Sequence, residues 1–141
     1  HPASLVSLSD AGAHLTFFND AGFGLHLLGH WVRDRKILEL PAAIACLTSE
    51  SARVYGFEER GLIKAGYHAD LMLFDPTTVG RGPKYRVHDL PGDGARLMTD
   101  PIGVHGVWVS GARIVGEDGN VVQDQQSGLP GKLIRFGQAA H

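Results

Sequence analysis

The apolar stretch that begins the chain stops at an aspartate. In "LSDAGAHL" (residues 8–15), Asp10 is followed by small residues and, four positions on, by His14. A carboxylate at the end of an extended run is held by the sheet behind it while the next turn opens to solvent. Such a group can bind a divalent metal, take a proton from metal-bound water, or do both. The same residues also suit an ordinary turn in which Asp10 accepts backbone hydrogen bonds around Gly12. Asp and His four apart make a weak motif, because a zinc site takes at least three protein ligands. The residues alone leave both readings of Asp10 open, and leave His14 as a metal ligand, a substrate contact or neither.

His26 and His30 in "GLHLLGHW" invite a second metal reading, since a four-residue interval places two side chains near one face of a helix. No glutamate of the metalloprotease type lies between them, and both flank an apolar stripe, which favours packing. His68, His88 and His105 are scattered through turn and strand-edge contexts, where structural roles are expected. Gly56, Gly61 and Gly66 form no dinucleotide fingerprint, and "GRGPK" lacks phosphate-loop spacing and reads as a solvent-facing turn. Neither Ser7 nor Ser9 stands in a nucleophile elbow. Cys46, the single cysteine, lies in apolar "AAIACLTSE" and reads as a small packing residue.

The elements that must position these groups fall into two halves. Residues 3–9 suit one strand ending at Asp10. After a turn at Asn19, Asp20 and Gly22, the apolar residues Phe23, Leu27, Leu28, Trp31 and Val32 recur with helical period. Pro41 suits the first turn of the next helix, and Thr48 or Ser49 can cap a third that ends near Gly56. The period then changes. A short strand is expected at Leu62 and Ile63, and a stronger one from Asp70 to Asp75 before Pro76. A pair at 107–109 and 112–115 should turn at Ser110 and Gly111, with a further turn at Asp118 and Gly119. Between them, residues 77–103, rich in Gly and Pro, read as a long loop. The tail reads as a surface extension anchored by Leu133, Ile134 and Phe136.

The 141 residues carry 13 Lys plus Arg against 15 Asp plus Glu, a formal charge of −2, so no electrostatic case exists for nucleic acid or an anionic membrane. At 43% hydrophobic composition a packed core is within reach, while no apolar run is long enough to cross a membrane.

The order and spacing of four segments sharpen the reading. "LSDAGAHL" resembles the late active-site segment of the amidohydrolase superfamily, where an aspartate ends the eighth barrel strand. "LTSESARVYGFEERGLIKAGYHADLMLFDP" is similar to the passage from that barrel into a small β-sandwich. With "RVHDLPGDGARL" and "GVHGVWVSGARIV", the chain looks most like the C-terminal portion of N-acyl-D-amino-acid deacylases, the D-aminoacylases. The resemblance implies an α/β plus β fold: the end of a (β/α) barrel over residues 1–55, then β-sandwich strands with a long loop and a terminal extension over residues 56–141. It implies a zinc cofactor, with Asp10 as both catalytic residue and metal ligand, and hydrolysis of an N-acyl-D-amino acid by metal-activated water. It assigns no role to His14. The other metal ligands would precede this chain, so the chain alone is expected to be inactive and to need the N-terminal part of the same enzyme. The expected setting is cytoplasmic, with a small amide substrate, no nucleic acid and no membrane; a homo-oligomer is an open alternative. Rival readings are an amidohydrolase acting on cyclic amides or dihydropyrimidines, and a noncatalytic β-rich interaction module.

Overall fold

A computed structural model describes residues 4–6, 9–10, 13–122 and 128–134. The helical half begins with α1 (Phe23–His26), which runs directly into a π-helical segment (Leu27–Asp34). There the amide of Arg35 donates to the carbonyl of His30, five residues back, at 2.9 Å. Gly29, a weak helix former, lies against the backbone of Val79 in this segment; a Cβ there would sit 2.5 Å from the Val79 carbonyl oxygen. In a π-helix each residue advances by less than the 100° of an α-helix, so the expected stripe drifts. Leu27 and Leu28 are buried, but Trp31 turns outward and is 40% exposed.

Helix α2 (Leu40–Leu47) starts with Pro41 in its first turn, where the missing N–H is not needed. Helix α3 (Ser49–Tyr55) begins after Thr48, whose hydroxyl donates back to the Ile44 carbonyl instead of capping the new helix. It ends at Gly56 with φ 66°, while the amide of Phe57 closes onto the Ala52 carbonyl, as a left-handed C-terminal cap requires. Leu27, Leu28, Ala43 and Val79 form the core, flanked by Val6, Leu25, Ile44 and Phe74.

Two antiparallel sheets follow. In the first, the order is β1 (Leu71–Phe74), β4 (Val104–Val109), β5 (Ala112–Val115), with β4 central. Ser110 and Gly111 join β4 to β5 with φ of 48° and 82°, the two positive values that match the twist of a tight hairpin. The second sheet is a hairpin of β2 (Gly80–Leu90) and β3 (Gly94–Ile102).

That hairpin corrects the expected long loop over residues 77–103. Its prolines and glycines occupy positions that strands tolerate. Pro83 falls at the register shift between Arg81 and Lys84, and Gly82 lies so close to the Asp100 carbonyl that a Cβ would approach it to 2.9 Å. Pro91, Gly92 and Asp93 make the turn, with φ of 72° and 60° at the last two.

Two expected strands are not seen among the described residues. Of the strand expected over residues 3–9, residues 4–6 and 9 are described and carry no strand assignment, while residues 3, 7 and 8 lie outside the described residues. Leu62 and Ile63 lie in a bend, with Ile63 93% exposed. In the tail, Leu133 is exposed and Ile134 is half-buried, while Phe136 lies outside the described residues.

Candidate functional site

Asp10 is exposed and adopts φ 50°. Its carbonyl accepts the amide of Ala13 at 3.3 Å, so the chain turns immediately after it. His14 has φ 49° and is also exposed; its carbonyl accepts the amides of Phe17 and Phe18, and its ring stacks on Phe17 with centroids 5.0 Å apart. Asp and His are found in the left-handed region more often than most residues that carry a side chain. Ser7 and Gly12 lie outside the described residues.

Among the other described histidines, His26, His30 and His88 make ring contacts of their own. His26 and His30 stack face to face, centroids 4.8 Å apart and 9° from parallel, with the edge of Trp31 against both. Parallel rings present faces to one another, not converging nitrogens, so this pair packs and does not chelate. Burial first, then the positive charge of Arg81 and the proximity of His30, push the His26 pKa below its ordinary value, against an opposing pull from Asp20. The His88 ring nitrogen lies 3.2 Å from the Asp93 carbonyl oxygen in the hairpin turn. His68 lines an apolar cleft of about 620 Å³ between α2 and β1, and His105 stands exposed on β4. Cys46 is half-buried within α2. Among the described residues, no three His, Cys, Asp or Glu side chains gather as a metal-binding group.

A polar network stands next to the turn that Asp10 begins. Asp20 accepts hydrogen bonds from Arg81 at 2.7 Å and Lys84 at 3.2 Å. Those bonds, Lys84 first and Arg81 second, hold its carboxyl below the usual aspartate range. Asn19 donates to the Leu97 carbonyl at 2.9 Å, the Leu97 amide donates to the Leu15 carbonyl at 2.8 Å, and Lys84 sits over the Phe18 ring at 5.7 Å. Gly22 leaves the space that Arg81 crosses, since a Cβ would lie 2.7 Å from its side chain. The sequence reading missed this network. It took Asn19 and Asp20 as turn residues and "GRGPK" as a solvent-facing turn, whereas Arg81 and Lys84 reach back more than sixty residues to one carboxylate. Two cations on one strand and an Asn-Asp pair shortly after "LSDAGAHL" were the available signal, and nothing local joins them.

Comparisons with known proteins agree with the sequence resemblance. The chain is 36% identical over 114 residues to an N-acyl-D-aspartate deacylase of Alcaligenes xylosoxydans xylosoxydans, covering 80% of this chain and 21% of that protein. It is 35% identical over 88 residues to a D-aminoacylase of the same organism, covering 62% and 16%. Among solved structures it resembles a crystal structure of D-aminoacylase (TM-score 0.55, 32% identity, 73% of this chain and 20% of that one). It also resembles N-acyl-D-glutamate deacylase from Bordetella bronchiseptica, complexed with zinc and a phosphonate mimic of the tetrahedral intermediate (TM-score 0.50, 31% identity, 73% and 21%). The chain thus spans about a fifth of the length of these relatives. The sequence model of the amidohydrolase family matches residues 1–115, and the chain belongs to that family.

Proposed function

We propose that this chain is part of a zinc-dependent deacylase of N-acyl-D-amino acids and that Asp10 is its contribution to the chemistry. The observation that carries the reading is the match, over most of the chain, to deacylases of N-acyl-D-amino acids. Asp10 suits the role physically, since its carboxylate is exposed at the head of a tight turn and can meet both a metal and a substrate. Residues 1–55 would then belong to the end of a (β/α) barrel and residues 56–141 to a β-sandwich portion.

The donor chemistry fits one place in a metal site and no more. A carboxylate is a good zinc ligand, but the described residues supply no group of three. The remaining ligands would come from other parts of the enzyme. When bound, zinc lowers the pKa of water and polarises the amide carbonyl. Asp10 takes a proton from the attacking water as its oxygen bonds to the carbonyl carbon. It then delivers that proton to the amide nitrogen as the C–N bond breaks, releasing a carboxylate and the free amino acid.

The test is Asp10→Asn in the full-length enzyme, which keeps the side chain's shape and removes its basicity. Turnover should fall by about 100-fold or more, within the range for lost acid–base participation, with the fold retained. Unchanged turnover in folded, metal-loaded protein would reject the role. Paired D and L N-acyl substrates test the stereochemistry. Preference for the L series, or activity confined to cyclic amides, would reject the substrate class.

A further inference from the structure

We infer that the β2–β3 hairpin is the positioning device of the Asp10 turn, with Asp20 as the ion-pair hub through which it acts. This inference rests on the proposed role of Asp10. The hairpin is rooted in the core and reaches from there to the turn. At its root, Val79 is 1% exposed, and the Arg33 guanidinium donates to the Val79 carbonyl. From that fixed base, β2 sends Arg81 and Lys84 onto Asp20, and β3 bonds the turn from both sides of Leu97, its amide to Leu15 and its carbonyl to Asn19. Every one of these contacts falls on residues 15–20, directly after the turn.

The turn itself needs such support. Asp10 and His14 both hold positive φ, which is strained for residues with side chains and persists only where the surroundings enforce it. Two main-chain-carbonyl bonds and two cation–carboxylate bonds to a hairpin rooted in the core provide that enforcement. Arg81, Lys84 and Asp20 are therefore positioning residues, and none is assigned contact with the reacting atoms.

The experiment uses the full-length, zinc-loaded enzyme with Arg81→Met, Lys84→Met and Asp20→Asn, read by amide hydrogen exchange, kcat and KM, and metal content. Exchange over residues 13–19 should quicken about fivefold to tenfold, in line with the loss of a partly exposed charge-assisted contact. Exchange in β1 should not change. kcat should fall by a similar factor with KM within about threefold, and Arg81→Lys, which keeps the cation, should restore most of both. If Arg81→Met does not fold, Lys84→Met and Asp20→Asn carry the same comparison. Unchanged exchange over residues 13–19 would overturn the inference, as would faster exchange with undiminished kcat where Asp10→Asn abolishes turnover. If Asp10→Asn itself leaves turnover intact, the assignment of Asp10 falls instead, while the hold on the turn is still read from exchange.

Discussion

Replacing Gly29 with alanine sets two effects of opposite sign against each other, and the structure decides between them. In a helix interior, Gly→Ala gains up to about 1 kcal/mol from reduced backbone freedom. At Gly29, however, the new methyl would lie 2.5 Å from the Val79 carbonyl oxygen and 3.1 Å from the Gly80 Cα. Ordinary contact begins at 3.4 Å, so the helix and the root of β2 must separate by 0.9 Å, the difference between 3.4 and 2.5 Å. The neighbour is backbone and cannot swing aside. Overpacking of this kind costs about 1–3 kcal/mol, and a rigid backbone neighbour puts Gly29 in the upper part of that range, about 2–3 kcal/mol; subtracting the gain of about 1 leaves a net destabilisation of about 1–2 kcal/mol. Gly24 is the control on the same helical run. A Cβ there meets only the Leu47 methyls at 3.6 and 3.7 Å, so Gly24→Ala should stabilise by about 0.5–1 kcal/mol. Urea unfolding of both variants, followed by far-ultraviolet circular dichroism, reads the two signs. Gly29→Ala equal to or more stable than the parent chain would refute the reasoning, because the close approach to Val79 would then not be a constraint.

Val79→Ala removes two methyl groups from the largest fully buried side chain among the described residues and should cost about 2 kcal/mol in the same assay; a loss under about 0.5 would place Val79 outside the core. The His26 imidazole should titrate below 6.5 by NMR, and Arg81→Met should raise it by removing a positive charge. Because the folded value is the lower one, the stability His26 contributes is complete above pH 6.5 and is lost as pH falls through the folded value. A His26 titration at or above 6.5 would contradict its burial.

Much of the molecule was legible where a few adjacent residues carry the whole signal. Pro41 opens α2, Gly56 closes α3, and Ser110–Gly111 turns β4 into β5, each through a backbone property of the residue itself. The β2–β3 hairpin was illegible because Pro83, Gly82 and Pro101 look like loop residues until the opposite strand shows that one sits at a bulge and another under a close backbone approach. Of the strand expected over residues 3–9, the described residues 4–6 and 9 carry no strand assignment; a strand is made by its neighbours, and sequence pattern reports only its own half of the pairing. The proposal for Asp10 came through family resemblance, whereas the Asp20 network was not legible, since Asp20, Arg81 and Lys84 meet only after folding brings residues 61 and 64 positions apart together.

Strand β1 lies at the outer edge of its sheet, and its four residues, Leu71–Phe74, are all apolar, three of them exposed. Such an edge is a template for pairing with another molecule. The sequence brackets it with Asp70 and Asp75. If two copies met edge to edge in antiparallel register, Leu71 would face Phe74 and each Asp70 would face an Asp75 of the other copy, so like charges would meet at both ends of the joint. Arg60 pairs with Asp70 within its own chain and weakens that repulsion, so the guard rests mainly on the cost of burying the Asp75 carboxylate in such a joint. Asp75 is suited to that duty, because hydrogen bonds from the Thr77 hydroxyl and amide, with Thr78 assisting, keep it ionised below the usual aspartate range. The charge that discourages fibre-like stacking along β1 therefore survives mild acidification that would silence an ordinary carboxylate.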